Sequence, residues 1–249
     1  MASIHKGEYK VFRWYMGKIW ERRGFCVMVI ILFIQLLMGF MGRSGLLFVF
    51  SGPSGSGKTT ITGALLARES QLCRSISATT RAPRAGEIHG TSYYFFDTPS
   101  FIRAAQEDLF AEHAKVFHNH YGTLKAPLAE ACLAGRDVLL TLDWQGAQSI
   151  KKLYQEKAVL IYILPPNMTA LKKRLDDRGQ DGAENIEQRL ACAYTEINHC
   201  VHYDYILVND DLDQTIDQAW SIIQSEGVRC KNQSHLDPLL RRILACPPH

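Results

Sequence analysis

The residues best suited to chemistry stand in one run, Gly52-Pro53-Ser54-Gly55-Ser56-Gly57-Lys58-Thr59. It fits G-x-x-x-x-G-K-[ST] at every position. The glycines let backbone N–H groups converge on a polyphosphate, because no Cβ blocks the turn. A helix starting near Gly57 adds the positive end of its dipole. Lys58 is placed to reach β- and γ-phosphates, and the hydroxyl of Thr59, followed by Thr60, suits Mg²⁺. The apolar run Leu46 to Phe50 reads as a buried strand, and Ala64, Leu65 and Leu66 follow with helical spacing. A Gly/Ser linker has neither flank. The run predicts nucleoside triphosphate binding without saying where the phosphate goes.

A second group lies in Ser75 to Phe96. Arg81 and Arg84 sit three apart around Pro83, and a turn through Gly86 and Gly90 returns the chain to Tyr93. Planar guanidiniums grip phosphate oxygens in pairs, and a tyrosine hydroxyl adds a neutral donor. Two arginines alone fit a solvated basic loop equally well. Asp143 ends the apolar strand Val138 to Leu142, where a carboxylate meets a Mg²⁺ shell or its waters. Arg174, Arg178 and Arg189 are spaced by four and eleven, and surface arginines on amphipathic helices are the plain alternative. His113, His118 and His120 cluster, yet no Cys or carboxylate follows at ligand spacing, so a metal site is not expected there.

Alternating elements must position these groups. Strands are expected at Leu46–Phe50, Asp137–Leu142, Ala158–Leu164 and Tyr205–Val208. Helices are expected over Lys58–Ala67, Ser100–Glu107 (capped by Thr98 or Ser100), Ala126–Ala134, Gln145–Leu153, Thr169–Asp177, Ala183–Asn198, Leu212–Gln224 and His235–Leu244. Phe110–Phe117 alternates weakly. Repeated βα units imply a parallel sheet with helices on both faces. Residues 77–123 break the alternation and read as an inserted module.

The chain has 249 residues and a net charge of +3. That charge is carried by residues 1–24, whose six basic and two acidic residues leave 22 basic and 23 acidic residues in the remainder. A near-neutral body carries no footprint for nucleic acid. Seven cysteines with no C-x-x-C pair fit reduced thiols in a cytoplasm. Gly24 to Gly42 is an uncharged span of 19 residues, about 28 Å as a helix and marginal for crossing a bilayer. It reads as a membrane anchor, a secretory signal, or sequence upstream of a true start at Met38 or Met41. No small-x-small cleavage site supports the signal. An anchor with its basic cluster N-terminal would export the phosphate loop away from ATP. Membrane association is expected only if this segment belongs to the natural protein.

The string T-T-R-x-P-R-x-G-E over Thr79–Glu87, then G-x-x-Y-x-F over Gly90–Phe95, resembles the guanylate kinases. The resemblance continues through Glu112, Tyr121-Gly122-Thr123, Asp143-Trp144-Gln145-Gly146, the three arginines and Val208-Asn209-Asp210-Asp211, covering roughly residues 44–245. It implies an α/β fold of the P-loop NTPase type: a core of residues 44–75, 124–168 and 203–249, a GMP-binding module of mixed α/β structure over 76–123, and a helical lid over 169–202. Residues 1–43 stand apart as an extension. It implies a cytoplasmic enzyme of purine nucleotide metabolism that moves the γ-phosphate of ATP to GMP, and to dGMP, with Mg²⁺.

By the same resemblance Arg81, Arg84, Tyr93 and Tyr121 hold the GMP phosphate, and Ser77, Glu112 and Thr123 read guanine. Gly52 to Thr60 and Asn209 hold ATP, with Asn209 beside the adenine. Lys58, Arg81, Arg174, Arg178 and Arg189 act on the transferring group, the last three from the lid. Glu112 has a physical case of its own. Guanine presents N1–H and N2–H₂ side by side to one carboxylate, whereas adenine would leave that charge unsatisfied. The family usually carries a second acidic residue two positions before Asp143, where this chain has Thr141. Intact Lys58-Thr59 and the lid arginines argue against a non-catalytic scaffold module. Glu112 and the two tyrosines argue against a kinase for a ribose phosphate, and the lack of N-K-x-D argues against a regulatory GTPase.

Overall fold

The structure is a computed structural model and describes residues 43–116, 118–177, 183–233 and 236–245. The apolar segment of the extension and Arg178 lie outside the described residues. Among the described residues, no helix is long and apolar enough to cross a membrane.

Five strands form one parallel sheet: β1 (Leu47–Ser51), β2 (Leu72–Arg74), β7 (Asp137–Thr141), β8 (Ala158–Leu164) and β9 (Tyr205–Val208), in the order β2-β7-β1-β8-β9. β1 is buried at every residue, as a parallel strand covered on both faces must be. Its alternation divides the core. Phe48 and Phe50 pack with Ile61 and Leu65 of α1 (Lys58–Arg68) and Ala219 and Ile223 of α7 (Leu212–Val228). Leu47 and Val49 face the other way, onto Leu128 of α3 (Lys125–Leu133) and Ala147 and Ile150 of α4 (Trp144–Tyr154). The register sets Phe50 beside Thr141 and Ile161, so the ends of β1, β7 and β8 open side by side. Ligands bind at the carboxyl ends of strands in such sheets.

A buried ion pair fixes the start of this unit. Asp137 Oδ1 accepts from Arg43 Nη1 at 2.9 Å and from the Leu46 N–H at 2.8 Å, while Oδ2 takes Arg43 Nη2. The carboxylate is almost fully buried, so its charge is tolerable only because both oxygens are used.

A second, mixed sheet has the order β4-β3-β6-β5, from β3 (Ser77–Thr79), β4 (Tyr94–Phe95), β5 (Phe110–Val116) and β6 (Asn119–Leu124). α2 (Thr98–Gln106) covers it, with Phe101 stacked on Phe110 at 4.4 Å. A bulge in β5 opposes Ala111 and Glu112 to the single step from Leu124 to Thr123. Such an extra residue re-aims the side chains that follow it. Here it aligns Glu112 with Thr123.

α5 (Met168–Asp177) and α6 (Ala183–Ile197) pack through Leu171, Leu175 and Ala193. α8 (Leu236–Leu244) ends the described chain. The α/β class and its parallel sheet agree with the sequence expectation. Three local features differ. The cap of α2 is Asp97, whose side chain accepts from Ser100 N, instead of Thr98 or Ser100. α7 runs to Val228, past Gln224, because Glu226 is satisfied inside the fold by Tyr205, Arg229 and Asn232. β6 has no counterpart in the sequence reading.

Candidate active site

The phosphate loop joins β1 to α1. Gly52 and Gly57 both have left-handed backbones, φ 143° and 101°. A Cβ at Gly52 would lie 2.2 Å from the Ile163 carbonyl oxygen, and one at Gly57 would lie 2.2 Å from Asn209 Nδ2. Neither position admits another residue. Gly57 also heads α1, so the first N–H groups of that helix have no side-chain cap. Uncapped N–H groups beside a helix dipole form a ready anion site. Lys58 Nζ donates to the carbonyls of Gly52 at 2.6 Å and Pro53 at 2.9 Å, closing over its own loop. Ser54, Thr59 and Thr60 are exposed, while Pro53, Gly55 and Ser56 are buried. The buried Ser56 Oγ has no hydrogen-bond partner among the described residues.

Asn209 follows β9 and is buried at the back of this loop. Its Nδ2 donates to the Ser56 carbonyl at 2.8 Å, and its own carbonyl accepts from Arg174 Nη2 at 2.8 Å. The expectation set Asn209 beside an adenine; in this structure its amide also braces the phosphate loop. Arg174 Nη1 is buried and has no partner among the described residues. Arg189 Nη1 lies 3.3 Å from Ser54 Oγ. α5 thus brings Arg174 to the backbone of Asn209, and α6 brings Arg189 to Ser54 of the loop. Lys172 and Lys173 are exposed, as their helix positions predict.

The second sheet lines up the base-reading candidates. Ser77 on β3 pairs with Thr123 on β6, and Thr123 pairs with Glu112 on β5. Thr123 Oγ1 donates to Glu112 Oε1 at 2.6 Å. Burial pushes the Glu112 carboxyl up, the Thr123 hydroxyl pulls it back, Asp143 nearby pushes it up again, and the Thr123 backbone N–H also pulls it back. This is a half-buried carboxylate held by Thr123.

Arg81, Tyr93 and Tyr121 meet at the other end of the sheet. The Arg81 guanidinium lies 5.3 Å from the centre of the Tyr93 ring, and Tyr93 meets Tyr121 edge-on at 6.5 Å. Arg81 Nη2 also donates to both oxygens of Glu87, at 2.7 and 2.9 Å. The Arg84 side chain is exposed; its backbone N–H donates to Glu87 Oε2 at 2.8 Å. Glu87 closes the T-T-R-x-P-R-x-G-E string, yet sequence reasoning gave it no role. Its acid-after-arginine spacing was the available signal.

Asp143 heads α4, and its Oδ1 accepts from Gly146 N at 2.8 Å. Thr141 and Asp143 are both exposed at the end of β7. Glu196 of α6 was also missed. Burial pushes its carboxyl up, with Lys58 and His199 pulling it down and Asp143 pushing it up, so it shares the electrostatic surroundings of the phosphate loop. Trp144 stacks on His199 at 3.7 Å, tying the start of α4 to the turn after α6. No group of three or more His, Cys, Asp and Glu side chains suited to a metal occurs among the described residues.

Comparison with known proteins agrees with this arrangement. The family model described as "Guanylate kinase" matches residues 44–226. A guanylate kinase of Zymomonas mobilis is 42% identical over 207 residues, 83% of this chain and 96% of the relative. One from Rhodospirillum rubrum is 43% identical over 201 residues, 81% of this chain and 92% of the relative. The crystal structure of guanylate kinase from Anaplasma phagocytophilum superposes with a TM-score of 0.67 at 34% identity, covering 83% of this chain and 99% of that one. The chain belongs to the guanylate kinase family of nucleoside monophosphate kinases.

Proposed function

We propose that the chain transfers the γ-phosphoryl group of ATP to GMP, giving ADP and GDP, in the cytoplasm. One observation carries the reading: a complete phosphate loop shares a fold with a half-buried glutamate held in place by Thr123. ATP lies on Gly52, Pro53, Ser54, Gly55, Ser56, Gly57, Lys58, Thr59 and Thr60. Asn209 supports that loop from behind. GMP lies on the second sheet, with guanine at Ser77, Glu112 and Thr123 and phosphate at Arg81, Arg84, Tyr93 and Tyr121. dGMP fits the same contacts, since none of them needs the 2′-hydroxyl.

A phosphate oxygen of GMP is already ionised near neutral pH, so no general base is required. Catalysis is positioning and charge stabilisation. Arg81 and Arg84 aim the nucleophile in line. Lys58 leaves the carbonyls of its loop for the β/γ oxygens. Arg174 through its unpartnered Nη1, Arg189, and Arg178 meet charge spreading over the transferred group. A Mg²⁺ bound with ATP would neutralise charge on the same oxygens. Thr59, in the first turn of α1, and Asp143, which heads α4 just beyond β7, are exposed oxygen donors that would hold it. Residues 44–249 act as the kinase unit, with 76–123 taking GMP and 169–202 covering ATP.

The test is a panel of GMP, AMP, UMP and dTMP with ATP and Mg²⁺, followed by ADP release. GMP alone is expected to support rapid turnover. No ADP with any acceptor would favour a binding module over an enzyme.

A further inference from the structure

We propose that Glu87 is a positioning residue for the acceptor phosphate: it holds Arg81 and the Arg84 segment as one preformed anion grip. The inference rests on the reading of Arg81 and Tyr93 as phosphate holders. Arg81 and Arg84 lie on an exposed loop where two cationic side chains three residues apart would repel and sample many rotamers. Glu87 answers both problems. Its two oxygens take Arg81 Nη2 at 2.7 and 2.9 Å, with both side chains mostly shielded from solvent, at 16% and 21% exposure. One of the same oxygens accepts the Arg84 N–H at 2.8 Å, and the Glu87 N–H donates back to the Arg84 carbonyl at 3.1 Å. The 84–87 turn is thus closed from both ends, with Gly86 at φ 84° supplying its left-handed residue.

Arg81 Nη1 is anchored on the Ala82 carbonyl at 2.8 Å. Tyr121 adds a further side-chain hydrogen bond to Arg81, so both candidate phosphate holders are fixed together. The guanidinium over the Tyr93 ring completes the fixed geometry. The Arg81 bond holds the Glu87 carboxyl below the usual glutamate range, with the Arg84 N–H adding to that, so the acid stays ionised. A side chain immobilised before binding does not have to be ordered by the ligand. The charge of Glu87 opposes an incoming phosphate, but it is already neutralised by Arg81, so the ordering dominates.

The experiment compares binding of GMP and of guanosine, which lacks the phosphate, to the full-length wild-type protein and to Glu87→Ala and Glu87→Asp. Wild type is expected to prefer GMP strongly. Glu87→Ala should lower that preference about tenfold, leave guanosine binding unchanged, and raise KM for GMP with kcat preserved at saturation. Glu87→Asp, which keeps the charge, should recover part of the preference. Equal loss of GMP and guanosine would mark a folding lesion and overturn the proposal, as would unchanged or tighter GMP binding. Wild type with no preference for GMP over guanosine would instead overturn the reading of Arg81 and Tyr93 on which it rests.

Discussion

Replacing Glu112 by Gln separates base recognition from everything else the chain does. In the wild type, Oε1 is held by Thr123 Oγ1 at 2.6 Å. Guanine offers two adjacent donors to this carboxylate. A glutamine keeps one acceptor, which Thr123 can still engage, and turns an NH₂ group toward a guanine N–H. One charge-assisted hydrogen bond is lost and two donors are opposed, worth about 3 kcal/mol together. At 1.36 kcal/mol per decade, kcat/KM for GMP should fall roughly 150-fold. KM for ATP should barely move, because the substitution lies on the other sheet. The pH dependence follows with a fixed sign. Burial raises the Glu112 carboxyl above the ordinary 4.5, so GMP binding, which needs the ionised form, is lost as pH falls through that raised value. The fold responds in the opposite direction: the proton is held more tightly in the folded chain, so this group's stabilisation is present below the unfolded pKa and lost as pH rises through the folded one. Glu112→Gln should therefore remove the acid limb of GMP binding and make the ligand-free protein slightly more stable at neutral pH. Steady-state kinetics against GMP and AMP, with thermal melts across pH, check each part. Undiminished selectivity for GMP over AMP in the variant would refute the reasoning.

Other substitutions probe the rest of the account. Lys58→Met should lower kcat by about two to three decades through loss of charge at the β/γ oxygens, with an unchanged melting temperature; a variant near wild-type rate would remove Lys58 from the chemistry. Asn209→Ala deletes the 2.8 Å bond to the Ser56 carbonyl and should raise KM for ATP about fivefold, from a hydrogen bond worth roughly 1 kcal/mol, leaving KM for GMP alone. Asp137→Ala strands the buried Leu46 N–H and frees Arg43, and should cost about 3 kcal/mol in urea denaturation, with nucleotide affinities intact under folding conditions.

Much of the fold could be read from apolar runs and breaker residues. Ala158–Leu164 matches the observed strand because a doubly covered strand must be apolar along its length; the edge strand Tyr205–Val208 is partly exposed and is legible from its β-branched and aromatic residues. The second sheet was harder. Asn119–Leu124 is polar and glycine-containing, and it is a strand because β3 and β5 pair with it on both sides. That pairing is tertiary and leaves no local pattern. The bulge at Ala111, which aligns Glu112 with Thr123, is equally silent in sequence. Among the candidate site residues, the phosphate loop was the most legible, since it carries its geometry in its glycines. The motif position of Asn209 says nothing of which way its amide turns. Glu87 and Glu196 escaped for a different reason: a carboxylate near arginines or a lysine is ordinary on any surface, and only their partners distinguish them.

The central claim is a phosphoryl transfer between two nucleotides on one chain. Phosphorus NMR of the protein with ATP, Mg²⁺ and GMP tests it most directly. ADP and GDP should rise in equal amounts with no inorganic phosphate, and AMP in place of GMP should give neither product at a comparable rate. ADP appearing with inorganic phosphate and no GDP, or AMP phosphorylated as readily as GMP, would contradict it.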